Sequence, residues 1–382
     1  MSEPDAAPQR SARPQTPLES TADAGRQVTR PLRLAVVGAT GAVGEEMRRL
    51  LVARGFPLDG DPVLVASQRS AGRRVRFADR ELEVQGLAPS VFDGVDAALF
   101  SAGRDVSREW APVAAERGAT VVDNSSAWRQ DPDVPLVVAE VNPHALRQRP
   151  RRIVANPNCT TMVLLVAVKP LHDLFGLTAM VATSYQSVSG AGVRGMAELL
   201  EQTRKLCEDP DTLRSHGAQA AATVEPAQFS KTVAFNVLPH AGTFAGQRYT
   251  DEEWKLVNES RKILELPDLR VSPTCVRVPV LVGHAIAARL TFQREAEVEA
   301  ALQALRSAPG LVVEDGTGRD GEPLAYPTPL ESAGRDEVFV GRVRADLSDP
   351  RSLNLFVAGD NLLKGAALNT VQLAELLATQ LS

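Results

Sequence analysis

The residues best suited to covalent chemistry lie in the polar run NPNCTT, residues 156–161, which leads into an apolar segment at 162–168. Pro157 favours an extended approach and Asn158 is a good helix N-cap, so the run predicts that Cys159 lies in the first turn of a helix. Unpaired backbone N–H groups and the helix dipole stabilise a thiolate at such a position, which indicates an activated nucleophile. The same six residues are equally compatible with a buried structural cysteine at a helix start.

The composition limits the classes of protein that the chain can belong to. Of 382 residues, 44% are hydrophobic and 23% are charged, which is typical of a globular protein large enough for two domains. The formal net charge of −5 gives no reason to expect nucleic acid or an anionic membrane as a partner. Three cysteines without CxxC spacing indicate a reducing compartment and argue against a metal site. No apolar run approaches the roughly 20 residues that cross a bilayer.

Residues 1–30 differ from the rest of the chain in composition. They are rich in Pro, Ala, Ser, Thr and Arg and contain almost no large apolar side chains, which predicts a disordered extension. The segment lacks the apolar core of a secretory signal. Its acidic residues, at positions 3, 5, 19 and 23, argue against an organelle transit peptide.

A glycine-rich turn follows the first β-rich run. The run at residues 32–37 ends in GATGAVG, residues 38–44, and residues 45–53 continue with helical periodicity. Strand, glycine turn and helix in this order predict a dinucleotide site, because glycines let the backbone approach a pyrophosphate at a helix N-terminus. The alternative is a tight strand-to-helix turn without a ligand. The candidate cofactor residues of this turn are Gly38, Thr40, Gly41, Ala42, Val43 and Gly44.

The loop after the second strand bears on the choice of dinucleotide. The run VLVA at residues 63–66 ends in SQRSAG, residues 67–72. NAD-preferring folds usually carry an acidic residue here, whereas an arginine accommodates the 2′-phosphate of NADP. Because the acid is missing and Ser67, Arg69 and Ser70 are present, the loop favours NADP. The alternative is that Arg69 is a solvated loop residue.

The pattern of elements indicates two domains. Apolar strands at residues 97–100 and 120–123 end in small polar residues, and 106–117 reads as the helix between them. This alternation predicts an α/β fold of the Rossmann type, with its crevice at the carboxyl ends of the parallel strands. Residues 158–354 have longer, more antiparallel-looking strands and predict an α+β substrate domain. A strand at 355–358 and a helix at 368–381 follow.

Several motifs, taken together and in order, resemble the bacterial type of aspartate-semialdehyde dehydrogenase. They are GATGAVG, SQRSAG, DNSS (123–126), PNCTT, SYQSVSGAG (184–192), RVP (277–279) with His284, and GDNLLKGA (359–366). The resemblance runs from about Leu32 to the C-terminus. It implies an NADP-binding domain at residues 31–157 and 355–382 and a catalytic, dimerisation domain at 158–354.

The resemblance also implies an activity and a setting. The family interconverts L-aspartyl 4-phosphate and L-aspartate 4-semialdehyde with NADP(H), the branch step toward lysine, threonine and methionine. Its members are cytoplasmic and generally homodimeric. In this scheme Cys159 forms a thioester that phosphate cleaves to an acyl phosphate. No metal is needed.

The roles of two further residues are assigned from physical reasoning together with the resemblance. A histidine titrates near neutral pH and can act as a base, but the chain has five, and only the resemblance selects His284. Arg277 lies among alternating apolar residues at 275–278, where burial without an anion is costly, and its planar fork fits a carboxylate. The alternative for Arg277 is an internal ion pair.

The resemblance implies roles for the remaining site residues. Gln186 orients the substrate, and Glu252 contacts its ammonium group. Phosphate is bound by Arg129, Lys255 and Asn158. Ser189 and Gly190 touch the cofactor, and Asn361 contacts its nicotinamide. Arg104 has two interpretations, assistance to Arg129 or simple exposure to solvent.

Two other functions remain open from the sequence. An N-acetyl-glutamyl-phosphate reductase uses the same thioester logic on a longer, acylated substrate, and a free amino group in the substrate would favour the role of Glu252. A catalytically inactive NADPH sensor on the same fold is the second alternative. It is disfavoured because such a sensor has no use for a nucleophile matched with a base.

Overall fold

The structure is a computed structural model that describes residues 30–380. The disordered tail predicted for residues 1–30 lies outside the described residues, apart from Arg30. Among residues 30–380, none of the helices combines the length and apolar content that a bilayer-spanning helix needs.

Within the described chain, strands and helices alternate through the first half and mix more irregularly in the second. The strands are β1 Leu34–Val37, β2 Val63–Ala66, β3 Arg74–Phe77, β4 Arg80–Glu83, β5 Gln85–Gly86, β6 Ala97–Phe100, β7 Thr120–Asp123, β8 Ile153–Ala155, β9 Leu177–Gln186, β10 Arg270–Arg277, β11 His284–Phe292, β12 Leu311–Val313, β13 Gly316–Thr317, β14 Leu324–Ala325, β15 Val338–Ala345 and β16 Ser352–Gly359. The helices are α1 Ala42–Ala53, α2 Arg104–Glu116, α3 Cys159–Phe175, α4 Gly192–Leu206, α5 Pro210–Ser215, α6 Gly217–Ala221, α7 Asp251–Ile263, α8 Val298–Ser307, α9 Pro329–Ser332 and α10 Leu368–Gln380, the last preceded by a π-helical turn, Leu363–Ala367.

The first sheet has six parallel strands in the order β5-β2-β1-β6-β7-β8. Counted along the chain, this is the 3-2-1-4-5-6 order of dinucleotide-binding folds. The central strands β1 and β6 are buried along their whole length because helices cover both faces. Helices α1 and α10 pack on one face and α2 and α3 on the other. The predicted Rossmann-type α/β fold is confirmed.

The second sheet is mixed, in the order β10-β9-β11-β16-β15-β12. Its inner pairs, β9 with β11, β11 with β16 and β16 with β15, are antiparallel, and its two outer pairs are parallel. Helix α3 is apolar on nearly all sides and shares one core with residues of both sheets. The predicted second domain with a mixed α+β architecture is therefore also observed.

The point at which the chain returns to the first domain differs from the prediction. Residues 355–358 belong to β16, which pairs with β11 and β15 of the second sheet. The chain crosses over only after Gly359, and α10 then packs beside α1 on the first sheet. The predicted boundary at residue 355 is wrong by one strand, because an apolar run does not reveal which distant strands it will pair with.

The ends of the strands bring the candidate residues together. In the first sheet, the glycine turn follows β1, and the NPNCTT run follows β8. In the second sheet, Gln186 and Arg277 are register partners at the carboxyl ends of β9 and β10. His284 begins β11 opposite Gly359 at the end of β16. Of these positions, His284 and Gln186 contact the first turn of α3 directly, through Cys159 and Thr160.

A buried ion pair fastens the returning segment to the first domain. Lys364, in the π-helical turn, is 1% exposed and pairs with the carboxylate of Glu140. Its ammonium also donates to Asn369 Oδ1 at 3.0 Å and to Gln372 Oε1 at 2.8 Å. Burial lowers the pKa of Lys364, and the nearby carboxylate of Glu140 opposes that shift. The pair therefore stabilises the fold only while both members are present.

We expect Lys364→Met to lower the free energy of unfolding by about 3–5 kcal/mol, because it leaves the Glu140 carboxylate buried without a counter-charge. Adding Glu140→Gln should recover most of the loss. Denaturant unfolding of the wild type and of the single and double variants measures both effects. A single variant as stable as the wild type would contradict this view of the ion pair.

Candidate active site

Cys159 is the first residue of α3, as the capping pattern predicts. The side chain of Asn158 caps the helix, because its Oδ1 accepts hydrogen bonds from the backbone N–H groups of Thr160 at 3.0 Å and Thr161 at 3.4 Å. Cys159 as a whole residue is half-buried. The polar run NPNCTT therefore presents the thiol at the meeting point of the two sheets.

The ring of His284 lies directly beside this thiol. Its Nε2 is 3.4 Å from Cys159 Sγ, and its Nδ1 accepts a hydrogen bond from the backbone N–H of Ser187 at 3.1 Å. A nitrogen that accepts cannot carry the proton of a neutral imidazole. The hydrogen of His284 is therefore on Nε2 and points at the sulfur.

The charge state of His284 differs from the expectation. Burial and the neighbouring guanidinium of Arg277 lower the pKa of His284 from its ordinary value of 6.5 to about 3. The ring is thus neutral at physiological pH and donates a hydrogen bond toward Cys159. The sequence predicts that His284 is a base that titrates near neutral pH. The structure does not agree with that prediction, because the pKa of His284 is far lower.

The thiol is also held in its neutral form. Burial, reinforced by the carboxylate of Glu252, raises the pKa of the Cys159 thiol to about 11. Arg129, Arg277 and the backbone N–H of Thr160 act in the opposite direction but do not outweigh the burial. The expectation of a thiolate stabilised by the helix start alone is wrong, because a short stretch of sequence does not show how deeply the sulfur is buried.

Arg277 is a buried cation at the end of β10. Its Nη1 donates to the carbonyl oxygen of Ser187 at 2.5 Å, and its guanidinium lies 5.7 Å from the ring centre of Phe229. Among residues 30–380, no carboxylate lies within ion-pair distance of it. An internal ion pair is therefore not observed, and the guanidinium remains available to an anionic ligand.

Gln186 is buried beside Arg277 at the end of the neighbouring strand. Its side-chain N–H donates to Thr160 Oγ1 at 2.8 Å, in the first turn of α3. The pairing of β9 with β10 therefore sets the spacing of Gln186 and Arg277, and the contact with Thr160 places both next to the cysteine.

The first turn of α7 contributes a carboxylate and an amine. Glu252 accepts from Asn158 Nδ2 at 2.9 Å and from Lys255 Nζ at 2.6 Å. Lys255 also donates to Asp251 at 2.7 Å. Burial disfavours the charge of Lys255, but the two adjacent carboxylates outweigh it and raise the pKa of the amine. Without a ligand, these predicted substrate and phosphate residues neutralise each other.

Arg129 approaches the same point from the first domain. Its Nη1 donates to Glu259 Oε1 at 3.1 Å, and its Nη2 donates to the carbonyl oxygen of Asn124 at 2.8 Å. The Nε of Arg129 is buried and has no hydrogen-bond partner among the described residues. Arg104, by contrast, is an exposed residue at the start of α2, which agrees with its solvent-facing interpretation.

The glycine turn fits a phosphate-binding role. Gly38 has φ of +88°, and a Cβ on it would lie 2.2 Å from the carbonyl oxygen of Ser101. A Cβ on Gly44 would lie 2.2 Å from the carbonyl oxygen of Gly38. Both glycines are therefore required for the turn to close, and the intervening residues 40–43 lead into the N-terminus of α1. In the loop after β2, Ser67 and Arg69 are exposed and Ser70 is half-buried.

The remaining cofactor candidates adjoin the histidine. Asn361 Oδ1 accepts from the hydroxyls of Ser187 and Ser189 and from the backbone N–H of Gly283, each at 3.0 Å. A Cβ on Gly190 would lie 3.2 Å from Arg277 Nη1 and 3.8 Å from His284 Nε2. This hydrogen-bonded group therefore joins the predicted nicotinamide side of the site to the thiol and its histidine.

Three residues in the site were missed by reasoning from the sequence. Ser187 fixes the tautomer of His284 through its backbone, which no side-chain motif indicates. Glu259 lies on the same face of α7 as Glu252 and Lys255, and the helical spacing of these charges was the available signal. Gly365, in the π-helical turn, packs against Cys159, since a Cβ there would lie 2.7 Å from Cys159 Cβ.

Comparison with known families agrees with this geometry. Residues 33–149 match the family described as "Semialdehyde dehydrogenase, NAD binding domain", and residues 168–364 match "Semialdehyde dehydrogenase, dimerisation domain". An aspartate-semialdehyde dehydrogenase from Streptomyces akiyoshiensis is 48% identical over 352 residues, which cover 92% of this chain and 99% of the relative.

Solved structures extend the comparison. Aspartate semialdehyde dehydrogenase II from Vibrio cholerae, complexed with ASA, has a TM-score of 0.83 and 43% identity, and the match covers 91% of this chain and 98% of that one. The aspartate semialdehyde dehydrogenase with NADP from Candida albicans has a TM-score of 0.69 and 25% identity, with coverage of 92% and 100%.

We expect Gly365→Ala to lower the free energy of unfolding by about 1–3 kcal/mol, because the new methyl group meets the base of the Cys159 side chain. It should also change the rate at which iodoacetamide alkylates Cys159. Gly217→Ala is the control, since a Cβ at Gly217 meets no atom within 4 Å. Unchanged stability together with an unchanged alkylation rate would show that the close packing does not matter.

The lowered pKa of His284 predicts a pH-dependent stability. Its folded pKa, about 3, lies below the unfolded value of 6.5, so the unfolded chain binds the proton more tightly and the fold loses stability as pH falls from 6.5 toward 3. Between pH 7 and pH 4.5 this contribution amounts to roughly 2.5 kcal/mol. Urea unfolding at both pH values should show a correspondingly smaller loss in His284→Asn, and equal losses would refute the assignment.

Proposed function

Because the chain belongs to the aspartate-semialdehyde dehydrogenase family, we propose that it interconverts L-aspartyl 4-phosphate and L-aspartate 4-semialdehyde with NADP(H) through a thioester on Cys159. The observation that carries this proposal is the convergence of a helix-start thiol, a neutral imidazole and an unpaired buried arginine at one point. The product lies at the branch toward lysine, threonine and methionine.

The amino-acid part of the substrate fits two charged side chains. Arg277 binds the α-carboxylate, since its guanidinium has no acidic partner within the described chain. Glu252 receives the ammonium group in place of Lys255.

The covalent chemistry centres on the sulfur. In the reductive direction, Sγ of Cys159 attacks the acyl carbon, the bond from that carbon to the phosphate oxygen breaks, and a thioester forms as phosphate leaves with the proton that the thiol gives up. Two-electron reduction of the thioester carbon gives a thiohemiacetal, and cleavage of its C–S bond releases the aldehyde and the thiol. In the oxidative direction the same steps run backwards, and phosphate cleaves the thioester.

His284 and Gln186 serve this sequence without forming covalent bonds. The Nε2–H of His284 hydrogen-bonds the sulfur when it is a thiolate. As the C–S bond of the thiohemiacetal breaks, Nε2 donates its proton to the sulfur and takes up the proton of the thiohemiacetal hydroxyl. Gln186, fixed by Thr160, orients the carbonyl group next to Sγ. Ser187 keeps the imidazole in the orientation that this proton position requires.

The phosphate group is held by Arg129, Lys255 and Asn158. Arg129 offers an unpartnered Nε–H, and Lys255 is released from Glu252 when the substrate ammonium takes its place. Asn158 lies between them at the start of α3, where the backbone N–H groups also favour anions.

NADP(H), when bound, supplies the hydride in the reductive direction and accepts it in the oxidative direction. The glycine turn receives the pyrophosphate, and the loop of Ser67, Arg69 and Ser70 receives the 2′-phosphate. Ser189, Gly190 and Asn361 hold the nicotinamide end beside the thiol. The Candida albicans neighbour with NADP supports this choice of cofactor.

We extend the proposal to assembly and location. The match of residues 168–364 to a dimerisation-domain family supports a homodimer formed through the second domain. The three cysteines are unpaired, which suits the reducing cytoplasm.

We expect Cys159→Ser to abolish oxidation of aspartate semialdehyde, because a serine hydroxyl cannot form the thioester. NADPH binding should stay within about twofold of the wild type, since the glycine turn lies in the other domain. Cys207→Ser is the matched control, because Cys207 is exposed on the surface and should retain full turnover. Spectrophotometric assay and fluorescence titration with NADPH measure the two effects, and turnover in Cys159→Ser would remove the thiol from the mechanism.

The order of the steps can be tested with the wild type alone. With phosphate, oxidation of semialdehyde should proceed through many turnovers, whereas without phosphate it should stop after a burst of about one NADPH per site. Equal rates in both arms would refute the thioester route. NADPH binding without any burst would instead favour the inactive sensor. Faster turnover with N-acetyl-glutamate semialdehyde than with aspartate semialdehyde would favour the alternative reductase.

A further inference from the structure

Glu259 is a completely buried carboxylate in the site whose role is not explained by contact with substrate or cofactor. It is 0% exposed and lies in the last half of α7. One oxygen, Oε1, accepts from Nη1 of Arg129 at 3.1 Å, and the other, Oε2, accepts from the backbone N–H of Asn158 at 2.6 Å. A single carboxylate therefore bridges the arginine of the phosphate site and the residue that precedes the nucleophile.

Within the part of the chain that the structure describes, these two contacts compensate the burial of this charge. Burial raises the pKa of Glu259, and the charge of Arg129 together with the backbone N–H of Asn158 opposes that shift. Both carboxylate oxygens are used as acceptors, so neither a shorter side chain nor an amide can reproduce the bridge. An uncompensated carboxylate at this depth is costly, which ties the positions of Arg129 and Asn158 to each other.

A second contact from α7 holds the chain segment that follows Arg129. One turn beyond Glu259, the ammonium of Lys262 donates to the carbonyl oxygens of Arg129 at 2.9 Å, Asp131 at 2.7 Å and Val134 at 2.8 Å. Lys262 thus fixes the backbone of the segment, whereas Glu259 fixes the direction of the Arg129 side chain. The two functions are separable, because they involve different atoms of Arg129.

We propose that Glu259 is a positioning residue that sets the distance between bound phosphate and the thioester carbon by linking the Arg129 guanidinium to the start of the nucleophile's helix. This inference rests on the proposed function. It adds a residue that acts only through Arg129 and Asn158 and does not touch the reactants.

Loss of the bridge should affect the two linked residues unequally. Asn158 keeps its capping bonds to Thr160 and Thr161 and its bond to Glu252. Arg129 keeps only its bond to the carbonyl oxygen of Asn124 and loses its one ion pair. The thioester should therefore still form, and its cleavage by phosphate should be impaired.

The test separates these two steps in Glu259→Gln and Glu259→Asp. In both variants we expect the KM for phosphate to rise about tenfold or more, while the burst of NADPH without phosphate keeps its amplitude and stays within about threefold in rate. Gln keeps the length but not the charge, and Asp keeps the charge but not the reach. A purely electrostatic role would give a lower KM for phosphate in Glu259→Gln and no change in Glu259→Asp, which would overturn the proposal.

Glu253→Gln is the matched control on the same helix. Glu253 is also buried, and its two oxygens also accept from backbone N–H groups, of Thr250 and Cys275, but it does not contact Arg129 or Asn158. It should leave the KM for phosphate unchanged. If the KM for phosphate rises equally in Glu253→Gln, Glu259 serves only the fold. The same conclusion follows if both Glu259 variants lose the burst to the same extent as they lose cleavage by phosphate. If the wild type gives no burst, the proposed function fails first.

Discussion

The site depends above all on the hydrogen bonds of Asn158. Its side-chain oxygen caps α3, its side-chain amide binds Glu252, and its backbone N–H binds Glu259. One residue therefore joins the first sheet, the nucleophile's helix and α7. Because a helix start offers several unpaired donors in a small volume, it can organise acidic side chains from a distant part of the chain around a single cysteine.

The charged side chains around Cys159 are arranged in a way that suits a charged ligand. Burial leaves both the thiol and the imidazole neutral, while the charges of Glu252, Arg129 and Arg277 act on the thiol in opposite directions. Among residues 30–380 no carboxylate pairs with Arg277, whereas Lys255 and Glu252 neutralise each other. An incoming molecule with a carboxylate and an ammonium gives Arg277 an anionic partner and replaces Lys255 at Glu252, so the charges beside the sulfur depend on the identity of the ligand.

The sequence predicts well the features that depend on neighbouring residues. The glycine turn, the cap at Asn158 and the position of Cys159 follow from local rules for turns and helix ends, and the structure agrees with them. Features that depend on distant contacts could not be predicted. Asn158 and Glu259 are 101 residues apart, the strand at 352–359 joins the second sheet through remote partners, and the burial that controls the thiol comes from the whole site.

The return of the chain to its first domain has a consequence for folding during synthesis. The face of the first sheet that α1 shares is completed only by the 13 residues of α10, which lie at the far end of the described chain. Until these residues leave the ribosome, α10 leaves its share of that apolar face without cover. A nascent chain that already carries the glycine turn therefore exposes part of this face to aggregation and to chaperones until α10 has been synthesised.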